Sequence, residues 1–333
     1  MPSSNLMRAL QVHELAPDYA GVRLDMVSRP EPGPGAVSVA VDAASLNFPD
    51  LLLTRGEYQM KPEPPFTIGG DLAGTVDAIG PGVEGLAPGD RVWGIGLGCF
   101  ADWAILPATS VGHLPSALSM AEGAAFGAAY LTAYVALVER GGLRPGEWVV
   151  INGASGGMGL AAVDLAKALG AHVIAVSASA DKRARIAELY APDHILAPGE
   201  DLAARVKALT GGGADLVFDP VNGDAFDQGI SALAFGGRML VIGFTSGEKR
   251  SLRSNVALIK SIALIGVRAG EYGRRYPERR KAIASQLENL VAAGKIRPHV
   301  DSIYAIEQWA KAFERMETRG AVGKIVLSIG GET

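Results

Sequence analysis

The stretch Gly153-Ala154-Ser155-Gly156-Gly157-Met158-Gly159 has residue types and spacing that imply phosphate binding. Backbone N–H groups that open a helix hold a pyrophosphate by hydrogen bonding and by the positive end of the helix dipole. Glycines allow the close approach this needs. Gly156 is the residue expected to let the backbone near the phosphates, and Gly159 the one that lets the helix pack on its strand. The usual G-x-G-x-x-G becomes A-x-G-x-x-G here, with Ala154 in the first place.

Such a loop needs a strand before it and a helix after it. Trp148-Val149-Val150-Ile151 is a short apolar run suited to a buried parallel strand. Leu160, Ala161, Val163, Leu165, Ala166 and Leu169 then recur at helical spacing until Gly170 ends the helix. His172-Val173-Ile174-Ala175-Val176 supplies a second strand, completing a unit of about thirty residues, the size of a dinucleotide-binding motif.

The end of that second strand selects the nucleotide. An NAD site usually carries an acid about twenty residues past the glycines, bound to the ribose 2′-hydroxyl. Ser177-Ala178-Ser179 stands there instead, followed by Lys182 and Arg183. A hydroxyl and a cation can both donate to a 2′-phosphate, so the pattern favours NADPH over NADH. The competing reading is a solvated first turn of the next helix, with Asp181 beside the two cations.

A chain of 333 residues predicts two domains, and 48% hydrophobic content with 43 Gly and 19 Pro describes a turn-rich globular α/β protein. The net charge of -4 gives no reason to expect nucleic acid or an anionic membrane as partner. Cys99 is the one cysteine, which excludes an internal disulfide and a multi-cysteine metal site and fits a reducing compartment. Met1 to Leu10 lacks a signal-peptide pattern. The most apolar stretch, 123–138, is shorter than the ~20 residues that span a bilayer and reads as a buried helix. The expectation is a cytoplasmic protein.

The first third is β-rich. Strands are predicted at 7–12, 37–42, 91–94 and 100–106, with another emerging from 68–76. From about Ala121 helices and strands alternate, as in a doubly wound parallel sheet. Helices are predicted at 181–190 and 202–210, with strands at 215–219, 237–244 and 261–267. A long amphipathic helix at 276–293, a helix at 306–318 and a strand at 324–328 close the chain. That last strand has no partner among the nucleotide-binding strands and is expected to return to the first domain.

The motifs Asn47-Phe48-Pro49-Asp50, Gly69-Gly70-Asp71-Leu72-Ala73-Gly74, Gly89-Asp90-Arg91-Val92 and Leu131-Thr132-Ala133-Tyr134 precede the glycine loop. Asp219-Pro220-Val221-Asn222-Gly223 and Gly323-Lys324-Ile325-Val326-Leu327 follow it. In order and spacing the set resembles the zinc-independent branch of the medium-chain dehydrogenase/reductase superfamily, the NADPH:quinone oxidoreductase family. The resemblance covers nearly the whole chain. It implies a Rossmann-type doubly wound sheet at 123–273, beside a discontinuous, β-rich GroES-like catalytic domain formed by 1–122 and 274–333. Zinc-dependent relatives carry a cysteine at the place of Asn47, a His-Glu pair at Gly70-Asp71, and often a four-cysteine loop near residue 100. This chain has none of those ligands, and Cys99 reads as a packed core residue.

The resemblance also implies roles. Asn47 lies beside the nicotinamide as a catalytic and cofactor-binding residue. Thr132, Ala154, Ser155, Gly156, Gly157, Met158, Gly159, Ser177, Lys182, Val221, Asn222, Gly243, Phe244 and Lys324 complete the cofactor site, with no metal. Tyr58 takes the place of a catalytic tyrosine in related 2-enoyl thioester reductases, where a phenol of pKa ~10 can protonate a developing enolate. Two structural readings compete: Tyr58 packing on Pro62 to Pro65, and Asn47 as an Asx-turn residue before Pro49. The chain departs from family patterns at Leu52 and Pro198, where aromatic residues are common, and Asn-Phe-Pro-Asp differs from the enoyl reductases' Asn-Pro-Ser-Asp.

The implied activity is hydride transfer from NADPH to quinones or other α,β-unsaturated carbonyls, small electrophiles that accept hydride into a delocalised system without a Lewis acid. The implied assembly is a homodimer formed through sheet edges. Reduction of 2-enoyl thioesters is the alternative activity, and NADPH binding without catalysis is the alternative class. Arg268, Arg274, Arg275, Arg279 and Arg280 surround Tyr272 and Tyr276. That cluster suits either the phosphates of a coenzyme A or carrier-protein thioester, or a solvated helix start.

Overall fold

The structure, a computed structural model, describes residues 5–330. The chain divides into two compact units: Met1–Ala128 with Arg297–Thr333, and Ala129–Ile296.

Unit one begins with β1 (Leu6–Val12), β2 (Val22–Ser28) and β3 (Ala36–Ser45), then α1 (Phe48–Thr54). β4 (Phe66–Thr67), β5 (Asp71–Ile79), β6 (Arg91–Ile95), β7 (Trp103–Pro107) and β8 (Val111–His113) follow, and α2 (Met120–Tyr134) leads out of the unit. Unit two holds β9 (Trp148–Ile151), α3 (Gly157–Ala168), β10 (His172–Val176), α4 (Ala180–Tyr190), β11 (His194–Leu196) and α5 (Leu202–Thr210). It continues through β12 (Ala214–Asp219), α6 (Asp224–Ala232), β13 (Leu233–Val241), α7 (Ser254–Lys260), β14 (Ala263–Gly266), α8 (Ala269–Arg275) and α9 (Pro277–Ala292). The chain then returns to unit one as β15 (Val300–Ala305), α10 (Trp309–Glu317) and β16 (Lys324–Ser328).

In unit one the main sheet runs β15-β16-β3-β5-β6-β8, with β7 also on β3, and β2-β1-β4 forms a small second sheet. The expected return of the last strand holds: β16 pairs antiparallel with β3, Val326 opposite Ser45. Ile306, Phe313, Ile325 and Leu327 join one core with Val37, Val39, Leu72 and Phe100. Residues nearly 300 positions apart are thereby fixed together. Phe313 is its aromatic pivot, edge-on to Tyr19 at 5.4 Å, to Trp309 at 5.7 Å and to Phe100 at 6.4 Å.

Unit two is a parallel sheet in the order β11-β10-β9-β12-β13-β14. Numbered from β9, this is the 3-2-1-4-5-6 winding of a dinucleotide-binding sheet, whose ligands lie at the carboxyl ends where the order reverses. The α2 hydroxyl of Tyr130 donates to Asp164 Oδ2 of α3 at 2.5 Å, tying the glycine-loop helix down.

Four sequence expectations need correction. The run 237–244 predicts a strand throughout, but β13 ends at Val241, and Gly243 and Phe244 enter a loop held to the 220–221 turn. The polar β2 and β15 carry weak alternation and were not predicted. The predicted join at 273/274 falls instead after Ile296, because α9 buries Ile283, Leu287 and Val291 and its Gln286 accepts a hydrogen bond from Tyr134 within unit two; the first join lies at 128/129 against a predicted 122/123. Finally, the apolar segment is longer than its composition suggested. Ser119 caps it with Glu122, and a π-helical turn, Val135–Arg140, extends the helix to 21 residues, of which an 18-residue window has mean hydropathy 1.3. Length and composition suffice to cross a membrane, yet 78% of that window is buried inside the protein, as in a core helix.

Phe313→Ala should therefore lower unfolding stability by about 3–5 kcal/mol, because a large buried ring leaves a cavity in the joint between the two ends of the chain. Urea titration reads this directly, and a loss under about 1 kcal/mol would contradict the assigned role.

Candidate functional site

In unit one, β3 ends at Ser45 and α1 begins at Phe48, so Asn47 is the N-cap of α1, in extended conformation. Its backbone N–H donates to Asp50 Oδ2 at 2.7 Å, half of a capping box that the Asn-x-x-Asp spacing encodes. The backbone of Asn47 thus starts the helix before Pro49, while its side chain, which makes no capping hydrogen bond, is turned to other partners. Asn47 Oδ1 accepts from Lys324 Nζ at 2.6 Å, and Nδ2 donates to Asp71 Oδ2 at 2.8 Å. A lysine ammonium only donates and a carboxylate only accepts, so the amide has one permitted orientation.

Lys324 is almost entirely buried, and it also donates to the Leu46 carbonyl at 3.0 Å and lies 3.6 Å from Asp71 Oδ2. Asp71 is fully buried, and its Oδ1 accepts the Ala128 N–H at 2.9 Å. Burial lowers the Lys324 pKa, opposed by the carboxylates of Asp71 and Asp50. Asp50, itself buried, is pushed up to about 7 by burial, against the Asn47 N–H and the Lys324 charge. Cys99 is in the core; burial, then Asp71 and Asp50, raise its thiol well above the usual range, and its Sγ donates to the Gly96 carbonyl at 3.0 Å. Tyr58 is half-buried and packs on the core of unit one.

In unit two, Gly153 takes φ +58°, and a Cβ there would stand 2.9 Å from Val221 Cγ2. A Cβ on Gly159 would meet the Gly153 carbonyl oxygen at 2.3 Å, so the helix can start this close to its strand only with glycine. The turning glycine is thus Gly153, one place before the Ala154 of the motif. Ala154 faces inward: it is fully buried and its N–H bonds the Val176 carbonyl at 3.0 Å, so neither group is offered to a ligand. Gly156 is the N-cap of α3, with no protein atom nearer to its would-be Cβ than 3.5 Å. The N–H groups of Gly157, Met158 and Gly159, as the first of a helix, have no intrahelical acceptor.

Around that loop, Ser177 is buried at the end of β10, and no acid follows it before Asp181. Arg183 folds back to donate to the carbonyls of Ser177 and Ala178 at 2.9 and 2.6 Å. It is committed to capping that strand end. Ser179 caps α4 by accepting from the Lys182 N–H, which puts Lys182 in the helix's first turn, half-buried. Asn222 adopts φ +64° and is buried; its Oδ1 accepts from the N–H of Gly223 at 3.0 Å and of Arg250 at 2.8 Å. Its amide therefore builds the turn that carries Val221. Asp219, raised by burial, accepts the Val221 and Asn222 N–H groups and Asn152 Nδ2. Gly243 sits 3.2 Å from the Pro220 carbonyl by its would-be Cβ, Phe244 is 42% exposed, and Thr132 is half-buried on α2. Asp50, Asp71, Asn152 and Asp219 were missed as site-building residues; the capping spacing and the Asp-Pro-Val-Asn turn were the available signals.

Two domain families match the chain, one described as an alcohol dehydrogenase GroES-like domain over residues 33–116 and one as a zinc-binding dehydrogenase over 157–286. A quinone oxidoreductase-like protein 2 homolog from Nematostella vectensis is 33% identical over 96% of this chain and 88% of its own length. The chain belongs to the quinone oxidoreductase family of medium-chain dehydrogenases/reductases. A mycobacterial protein solved in complex with NADPH superposes with a TM-score of 0.89 at 28% identity, covering 97% of this chain and 99% of that one. A polyketide synthase subunit from Mycobacterium tuberculosis is 35% identical over 96% of this chain, which corresponds to 14% of that subunit. Family membership makes the chain an oxidoreductase that binds a nicotinamide cofactor.

The two groups implied by the family fare differently. The open N-terminus of α3 and the Gly153–Gly159 contact fit a dinucleotide. Zinc does not fit at Asp71: the groups facing it are an ammonium and an amide NH2, which offer hydrogens rather than lone pairs, and among the described residues no three His, Cys, Asp or Glu side chains gather as a ligand set.

The Asp50 environment has a pH signature. A carboxyl that stays protonated to about pH 7 when folded, but ionises near ~3.9 unfolded, stabilises fully below pH ~4 and loses that contribution as pH rises to 7. The stability of the wild type relative to Asp50→Asn should fall by on the order of 3–4 kcal/mol between pH 4 and 7 and then level off. Denaturation curves that stay parallel across this range would contradict the burial account.

Proposed function

We propose that this chain is an NADPH-dependent reductase that adds hydride to quinones or other α,β-unsaturated carbonyl compounds without a metal ion. The observation that carries the proposal is the lysine-centred network of unit one, where the buried cation is Lys324 and the donor set suits no zinc. An acceptor that needs no Lewis acid must spread the incoming charge itself, as quinones and enones do.

NADPH binds through the N–H groups of Gly157, Met158 and Gly159, with Ser155, Gly156 and the Val221 turn beside them. Ser177 and Lys182, with no acid at the end of β10, favour a 2′-phosphate. The bound nicotinamide supplies the hydride. Tyr58 donates a proton to the developing oxyanion, and Asn47, held by Lys324 and Asp71, presents a fixed amide dipole. Exposed apolar side chains on unit two, Phe235 at 80% on β13, Leu258 at 80% and Ile259 at 72% on α7, and Leu264 at 46% on the edge strand β14, support pairing with a second copy.

The match to a polyketide synthase subunit favours a second reading, reduction of 2-enoyl thioesters. NADPH and NADH oxidation against 1,4-benzoquinone, an alkenal and crotonyl-CoA separates the two. The proposal expects quinone or alkenal turnover with NADPH at more than ten times the thioester rate. A thioester preference would replace it, and binding of NADPH without turnover of any acceptor would contradict catalysis altogether. Lys182→Ala should weaken NADPH by about tenfold and leave NADH within twofold, the scale of one charge-assisted contact to phosphate; equal losses would remove the 2′-phosphate role.

A further inference from the structure

The arginine-rich segment after β14 is not absorbed by the hydride chemistry. In unit two it borders a cavity of about 300 Å³, lined by Arg140 at the end of the long apolar helix and by Arg268, Glu271, Tyr272, Arg275 and Tyr276, with Glu139 beside them. That volume lies at the lower end of small-molecule sites.

The charges in this cavity are unequally spent. Glu271 is held by Arg274 and Arg275, each at 2.8 Å, and these two cations draw its pKa down to about 2. Glu139 accepts the Tyr272 hydroxyl at 2.6 Å and has Arg279 at 4.0 Å. Both carboxylates are therefore occupied by neighbours. Arg140 and Arg268 line the same cavity, and among the described residues their guanidinium groups have neither an ion pair nor a side-chain hydrogen bond. Two unpaired guanidinium forks in one concavity match the geometry of phosphate oxygens better than that of any single carboxylate. The lining also holds two aromatic rings: Tyr272 and Tyr276 lie 5.0 Å apart and tilted by 50°, and Tyr276 is 52% exposed. A flat ring can stack there while Arg140 and Arg268 hold a phosphate.

We propose that this cavity is a second nucleotide-phosphate site, separate from the glycine loop, which takes the phosphorylated adenosine of a ligand other than the reducing cofactor. The shared chemistry, adenine plus a ribose phosphate, has two sources: the adenosine 3′,5′-bisphosphate end of coenzyme A, and the 2′-phosphoadenosine end of a second dinucleotide. The site does not rest on the hydride-transfer reading, since it is defined by binding alone.

Isothermal titration of the full-length protein saturated with NADPH tests it, with 3′,5′-ADP, 2′,5′-ADP and inorganic phosphate as separate probes. One of the two nucleotides should bind and inorganic phosphate should compete at least tenfold more weakly; the preferred nucleotide names the source. Arg140→Gln/Arg268→Gln should weaken that nucleotide by tenfold or more, and Arg268→Lys, which keeps the charge but loses the fork, by a smaller factor. Lys182→Ala, in the cofactor loop, should leave it within twofold. No binding of either nucleotide to the NADPH-saturated wild type overturns the proposal. So does binding undiminished in the double variant, or binding abolished by Lys182→Ala, which would assign the signal to the cofactor site.

Discussion

A buried ammonium is expensive to hold in a protein, and the placement of Lys324 is the constraint on which unit one depends. Its desolvation is offset by three acceptors: the Asn47 amide oxygen, the Leu46 carbonyl and the Asp71 carboxylate. Those acceptors come from the end of β3, the start of α1 and the start of β5, while the lysine comes from β16, nearly 280 residues later. The return of the C-terminal segment is thus more than packing. It delivers the cation that orients Asn47, and Phe313 shares one core with Ile325 and Leu327 of the delivering strand.

Unit two obeys a different constraint, close approach. Gly153 turns at positive φ and a Cβ on Gly159 would strike its carbonyl, so α3 starts against β9 with its first N–H groups free of intrahelical acceptors. Asp219 and Asn222 turn the neighbouring β12 exit so that Val221 packs on Gly153. Few of the side chains here face outward as ligand contacts. Most, including Asn222 and Arg183, are spent on shaping the backbone that would meet the cofactor.

How much of this was legible in the sequence depended on which forces were local. The helix after the glycine loop, α5 and β16 could be read from the sequence, because period, caps and glycine positions are encoded within a few residues. β2 and β15 could not, since each is a half-polar strand fixed by its partner rather than by its own alternation. The helix around 123–138 read short because its last turn, ending in Glu139 and Arg140, looks polar although the backbone continues as a π-turn. The candidate site was half visible. Asn47, Lys324 and the loop were named from motif order, but the role of Asp71 required the tertiary pairing of β5 with β3, and the inward turn of Ala154 required the bond to Val176. Offsets of one residue, as between Ala154 and Gly153, are beyond what a motif alone can resolve.

A protein cation, Lys324, organises the polar centre of unit one, and the proposed chemistry there uses no metal. The most direct test is quinone turnover with NADPH before and after exhaustive treatment with 1,10-phenanthroline and EDTA, with metal content measured on the same samples. Equal rates and less than a stoichiometric trace of zinc are expected throughout. Activity that is lost on chelation and restored by one equivalent of zinc would contradict it.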